Sequence, residues 1–206
     1  MSIVKSFVFS YQLLRSNLYL IKVGPHQVVI IDPSDLGEKM LAYLAEHQLT
    51  PVAVLLTHGH FDHVRGVKRL IEQYRLPVYV GQGEKDYLHD HLFMRGNYEE
   101  IAQSGNLHFV EDGQRLTFGH QEFLVITTPF HSMGSVCYYL EKEGIIFTGD
   151  TLFKGTIGRT DIFGSDPTLI KASLNKLRNL PETTVVYPGH GESTTIKDEK
   201  NHNPCL

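Results

Sequence analysis

Apolar residues along this chain come in many short runs broken by polar turns, the pattern of a strand-rich fold with a few helices. Val4–Phe9, Asn17–Lys22 and Gln27–Ile31 read as successive strands, with Gly24-Pro25 turning the chain between the last two. In Glu38–His47, Met40, Leu41, Leu44 and Ala45 fall at the spacing of an amphipathic helix. Val52–Leu56 is apolar throughout, as in a strand covered on both faces. Gly66–Tyr74 reads as a helix, Val78–Val80 as a strand, and Glu84–Gln103 as a polar, helix-leaning stretch without a clean stripe. Short strands are predicted at Leu107–Val110, Leu116–Phe118, Phe123–Thr127, Val136–Leu140 and Ile145–Thr148. A helix over Pro167–Leu180 and a last strand at Val185–Tyr187 complete the pattern. No linker or composition shift divides it, so one domain over residues 1–206 is expected.

The order of elements suggests a duplication. Val28–Ile31 ends on Asp32, a helix follows, and Val52–Leu56 delivers Thr57-His58-Gly59-His60. Later, Ile145–Thr148 leads to Gly149-Asp150, a helix follows, and Val185–Tyr187 delivers Pro188-Gly189-His190-Gly191. Two such halves packed face to face would form an α/β fold of four layers, an αββα sandwich with the His-bearing strand ends on one edge.

Composition narrows the picture. The 206 residues are 41% hydrophobic and 20% charged, ordinary for a globular enzyme. A formal charge of −4 without a Lys/Arg cluster argues against a nucleic-acid or acidic-membrane partner. The N-terminus lacks the basic and apolar regions of a signal peptide, and no apolar run approaches the roughly 20 residues that span a bilayer. Two cysteines, Cys137 and Cys205, make no disulfide framework. A cytoplasmic protein is expected, its oligomeric state open.

The chemistry begins at His58-Gly59-His60-Phe61-Asp62-His63, directly after a predicted strand. Three imidazoles and a carboxylate within six residues exceed what one tetrahedral ion takes from so short a segment. His58 and His60 project to one side of an extended segment, and Asp62 and His63 lie one turn on, which suits two neighbouring ions. His131, Asp150 and His190 each follow a predicted strand and offer further ligands.

The hexad resembles the H-x-H-x-D-H motif of the metallo-β-lactamase superfamily. The likeness is closest to short bacterial relatives of glyoxalase II (hydroxyacylglutathione hydrolase). It continues at Gly134–Tyr138, Phe147–Phe153, Gly158–Asp161, Tyr187–Ser193 and Asn203-Pro204. The resemblance implies His58, His60 and His131 on one ion, Asp62, His63 and His190 on a second, and Asp150 bridging them. It implies two divalent ions, zinc first and iron or manganese as alternatives. A hydroxide held between the ions, with Asp62 and Asp150 in the catalytic set, would attack a thioester such as S-lactoylglutathione. Arg159 would reach an anionic group of the substrate, or form a structural salt bridge.

The sequence departs from that family in places. Phe130 and Met133 stand beside His131 where relatives carry glycine and proline, Asp161 replaces a tyrosine, and the chain stops short of the helical domain of full-length glyoxalase II. A persulfide dioxygenase, with the same hexad but one iron, is the main rival; the Pro188–Gly191 signature favours the hydrolase. Another ester or lactone is a further alternative. A metallo-β-lactamase proper would usually replace His63 and supply a cysteine ligand, and a nuclease would want a basic surface. His89-Asp90-His91 reads as solvated surface, Cys137 as a small buried hydrophobe, and Ser132 and Ser135 as turn residues. Asp32, at a strand end, reads as a support behind the site or as the start of a turn. Phe93, Met94 and Tyr98 could line a pocket or fill the core.

Overall fold

The computed structural model describes residues 3–11, 14–34, 38–89 and 98–206. Two six-stranded sheets carry the fold. The first runs in the order β1 (Val4–Tyr11), β2 (Leu14–Lys22), β3 (Gln27–Ile31), β4 (Thr50–Leu55), β5 (Val78–Gly81), β6 (Leu107–Val110). The second has β7 (Arg115–Phe118), β8 (Gln121–Thr127), β9 (Val136–Leu140), β10 (Ile145–Gly149), β13 (Val185–Pro188) and β14 (Thr194–Thr195), with β10 beside β13. A small hairpin, β11 (Leu152–Phe153) with β12 (Thr156–Ile157), stands apart.

Alternation along the strands builds the layers, because successive side chains point to opposite faces. In β2 and β3, Tyr19, Ile21, Val29 and Ile31 pack between the sheets with Phe123, Tyr138 and Phe147. Their neighbours Leu18, Leu20, Val28 and Ile30 face outward, onto Met40 and Leu44 of helix α1 (Glu38–Glu46) and Val67 and Leu70 of α3 (Val67–Tyr74). On the second sheet, Cys137, Tyr139 and Ile146 face outward with Leu177 of α5 (Ile170–Arg178) and Ile196 of α6 (Ile196–His202). Three apolar layers between four layers of structure give the αββα sandwich. Strands with both faces covered read as unbroken apolar runs for this reason.

The duplication is visible in the sheets. β3 pairs parallel with β4 across α1, and β10 pairs parallel with β13 across α5. The halves bring Asp32 and Asp150 to equivalent strand ends, where the chain turns with φ +47° at Asp32 and +49° at Gly149. Some elements escaped the apolar pattern: α2 (Phe61–Val64), the β11–β12 hairpin, β14 and α6. They are too short for a period to show, and α6 carries mostly polar residues. The expected Pro167–Leu180 helix divides into a 3-10 turn, Pro167–Leu169, and α5, because the Asp166 side chain caps the turn at Thr168 N. Of Glu84–Gln103, a 3-10 turn closes at Glu84 and α4 spans Tyr98–Gln103. Asp90, His91, Phe93 and Met94 lie outside the described residues, as does the side chain of Tyr98. Among the described residues, no helix is long and apolar enough to cross a membrane.

Candidate metal centre

All seven residues singled out in the sequence meet at one edge of the sandwich. The segment after β4 carries His58 and His60, and the first turns of α2 place Asp62 and His63. His131 sits in the loop from β8 to β9, Asp150 follows β10, and His190 follows β13. Side-chain nitrogens or oxygens of His58, His60 and His131 lie within 4.8 Å of one another, and so do those of Asp62, His63 and His190.

Hydrogen bonds fix which ring nitrogen His58, His63, His131 and His190 present. Asp32 Oδ1 accepts from Thr57 N at 2.8 Å, and its Oδ2 accepts from Thr57 Oγ1 at 2.6 Å and faces His63 Nδ1 at 3.0 Å. His63 therefore donates from Nδ1 and turns Nε2 into the site. Thr57 Oγ1, its proton committed to Asp32, accepts from His58 Nδ1 at 3.1 Å. His131 Nδ1 donates to Arg159 O at 2.8 Å, and His190 Nδ1 to Arg15 O at 2.7 Å. Such outward bonds orient metal-binding imidazoles and raise their basicity. Asp32 also lies close to His58 and His63, but its oxygens are taken up by these bonds. It acts behind the histidines, one of the two roles the sequence left open.

Asp150 stands between the two groups. Its Oδ2 is 3.4 Å from His131 Nε2 and 3.3 Å from His190 Nε2, and its Oδ1 is 3.4 Å from His63 Nε2. His60 Nδ1 faces His131 Nε2 at 3.0 Å, His63 Nε2 faces His190 Nε2 at 3.3 Å, and Asp62 Oδ2 lies 3.5 Å from His190 Nε2. Bonds of about 2.0–2.1 Å at tetrahedral angles place neighbouring ligand atoms about 3.3 Å apart. The donor set thus has the spacing that a divalent ion requires. His58 Nε2 and Asp150 Oδ1 are buried without a hydrogen-bond partner, which a bound cation would supply.

The electrostatics agree. Burial and the neighbouring imidazoles hold His58 well below its usual pKa and His60 down at about 3, so both rings are neutral donors. Burial would also lower His63, but the Asp62, Asp150 and Asp32 carboxylates outweigh it and lift His63 to about 10. Burial would raise Asp150, but His63, His190 and His131 hold it well below the carboxylate range. The site is built around positive charge.

Sequence reasoning missed the residues that fasten these loops. Ser16 Oγ donates to Asp62 Oδ2 at 2.9 Å. Asn17 Nδ2 donates to Pro188 O and Gly191 O, both at 2.9 Å, and Tyr19 Oη to Pro188 O at 2.6 Å. β2 of the first sheet thereby clamps the His190 loop of the second. Glu84, wholly buried, receives Gly59 N–H at 3.3 Å and the Ser132 hydroxyl. Glycines 158 and 189 sit where a Cβ would overlap Asp150. No periodic signal marks such residues; their partners lie far away in the chain. The odd residues beside His131 fit without strain: Phe130 is fully buried, and neither it nor Met133 has a positive φ.

A cavity of about 460 Å³ opens onto His60, Asp62, His131, Asp150 and His190, walled by Phe61, Phe153, Ile157 and Ile162 with Thr156 and Arg159 among them. Arg159 holds Asp161 through two bonds, Nε to Oδ1 at 2.6 Å and Nη2 to Oδ2 at 2.7 Å, and both side chains are exposed.

Fold and site together define a metal-dependent hydrolase. The model of the metallo-β-lactamase superfamily matches residues 11–190, and the chain belongs to that family. It is 38% identical over 198 residues to the probable metallo-hydrolase YqgX of Bacillus subtilis, covering 94% of this chain and 93% of that one. Identity to the hydroxyacylglutathione hydrolase GloC of Haemophilus influenzae is 32%, covering 93% of each chain. Among solved structures, the B3 metallo-β-lactamase BLEG-1 superposes with a TM-score of 0.85 at 39% identity, covering 98% of both chains. TTHA1623, solved in a di-iron-bound form, gives 0.81 at 38%, covering 97% of this chain and 100% of that one. ETHE1 from Myxococcus xanthus gives 0.80 at 30%, covering 98% and 84%.

Proposed function

We propose that the chain is a dinuclear thioester hydrolase acting on a 2-hydroxyacyl thioester such as S-lactoylglutathione. The observation that carries the two-ion reading is the Asp150 carboxylate, within 3.4 Å of ring nitrogens from both ligand groups. His58, His60 and His131 would hold one ion, Asp62, His63 and His190 the other, with Asp150 shared. Zinc suits these donors best, and iron or manganese would accept them; the neighbour TTHA1623 holds two irons. When bound, the ions supply an acidified water and positive charge for a developing oxyanion.

The chain does the rest. Asp32 and Thr57 hold His63 and His58 in the tautomer that presents Nε2. Phe61, Phe153, Ile157 and Ile162 give the substrate an apolar wall beside the ligand residues. No dedicated acid is required, because a thiolate leaves without protonation. GloC, a hydroxyacylglutathione hydrolase by name, supports this choice of substrate. A cytoplasmic, small-molecule enzyme remains the accompanying expectation.

Three reactions compared on one preparation test the proposal: thiol release from S-lactoylglutathione, oxygen uptake with glutathione persulfide on iron-loaded protein, and opening of a chromogenic cephalosporin. Thiol release should dominate, should vanish in His58→Ala, and should accompany more than one metal equivalent per chain. Oxygen uptake without thioester cleavage, at one iron per chain, would replace the proposal with a dioxygenase. Faster lactam opening than thiol release would also overturn it.

Arg159 is proposed as the contact for a substrate carboxylate. An exposed ion pair in water is weak, so a substrate anion can displace Asp161 from the guanidinium. Arg159→Ala should raise KM for an anionic thioester and leave turnover of a small neutral ester nearly unchanged. The backbone carbonyl that orients His131 survives the substitution. Equal losses on both substrates would show that the pair is structural.

A further inference from the structure

We propose that Glu84 is a positioning residue that sets the spacing between the loop bearing His58 and His60 and the loop bearing His131. It stands at the end of the 3-10 turn Gln82–Glu84, directly after β5, and is 0% exposed. One oxygen, Oε1, serves both loops. It accepts from the backbone of Gly59, the residue between His58 and His60, at 3.3 Å. It also accepts from the hydroxyl of Ser132, the residue after His131. Ser135 Oγ, 2.7 Å from Ser132 Oγ, donates to it in turn and accepts from Ser132 N at 3.2 Å, locking the turn.

The backbones are pressed together to allow this. A Cβ on Gly134 would overlap Glu84 N and Cγ, one on Gly83 would overlap Met133 O, and one on Gly81 would overlap Gly134 O. Glycine at all three positions lets the segment after β5 lie directly on the His131 loop. Burying a carboxylate is costly, and burial lifts Glu84 to about 7 against the opposing bonds from Ser132 and Gly59. An apolar side chain would fill the same space without that cost. What only an acceptor provides is the shared oxygen, which ties Gly59 to Ser132. Glu84 Oε2 makes no hydrogen bond, so this one oxygen carries the tie. The group it frames is His58, His60 and His131, the three proposed donors of one ion; Asp62, His63 and His190 are bonded instead to Ser16, Asp32 and the Arg15 carbonyl. The inference rests on the metal centre and not on which ester is cleaved.

The test follows the two metal equivalents by chelator competition and by the visible absorption of cobalt-loaded protein, with His131→Ala and His190→Ala marking each site. Glu84→Leu should weaken the ion that His131→Ala loses by about 10–100-fold, the usual effect of removing a residue that orients ligands. The ion that His190→Ala loses should stay. Glu84→Gln should keep both, because its amide oxygen accepts from Gly59 and Ser132 alike. Ser132→Ala, which removes one donor and leaves the carboxylate, should weaken the same ion less, and decides the matter should Glu84→Leu not fold. Leu44→Ala, a truncation beneath α1, controls for destabilisation and should lower the thermal midpoint with the sites unchanged. The proposal is overturned if Glu84→Leu or Ser132→Ala loses both ions in parallel or neither, or if Glu84→Gln fails as the leucine variant does.

Discussion

Replacing Asp150 by alanine is expected to lower kcat by roughly a thousandfold or more and to weaken both metal sites together. Each of the two ligand groups has three donors of its own, one short of the usual four. Asp150 is the residue that faces both, with Oδ2 near His131 and His190 and Oδ1 near His63. On the proposed two-ion reading, its loss would remove a ligand from each group and a negative charge from between the ions. Asp150→Asn keeps the shape and one good oxygen but not the charge, so it should fall between. Metal content after dialysis and steady-state thiol release measure the two effects separately. The exposed His89 provides the control: His89→Ala should change neither. Two ions retained in Asp150→Ala, or one stripped by His89→Ala, would show that the ligand assignment is wrong.

A single methyl group at Gly189 should be nearly as damaging, although the residue binds nothing. A Cβ there would overlap Asp150 Oδ1 and lie 2.8 Å from His63 Cε1. The backbone cannot retreat, because Gly189 N–H is bonded to Gly149 O at 2.8 Å and its carbonyl accepts from Asn17 N at 2.7 Å. The strain therefore falls on the carboxylate and the imidazole. Displacements near 1 Å at a reacting centre cost about a hundredfold in rate, and overpacking a filled site costs about 1–3 kcal/mol of stability. Gly189→Ala should show both, in kcat and in denaturant unfolding. Gly144→Ala is the comparison: its φ of +63° makes alanine strained, but nothing lies within 4 Å. That variant should lose stability, about 1–2 kcal/mol, and keep its rate. Wild-type turnover in Gly189→Ala would mean that the loop after β13 yields more readily than its hydrogen bonds indicate.

The sequence by itself determined the longer strands, while β11, β12 and β14 stayed hidden in it. Val28 to Ile31 alternate between the outer and central layers with the two-residue period of a strand, and the apolar run before His58 shows that both its faces are covered. The seven residues were legible for a related reason: chemistry gathers where a buried strand emerges, and His58, Asp150 and His190 each follow one. What stayed hidden is whatever depends on two distant segments meeting. Glu84 looks like any polar residue until Gly59 and Ser132, 25 and 48 positions away, arrive on either side of it. Asn17 gives no hint that it will hold the loop of His190, 174 positions from Gly191. Periodicity reports only which way a side chain faces, since that is set locally by the backbone. The partners of a buried hydrogen bond are set by how the two sheets pack, and that was decided by the tertiary structure alone.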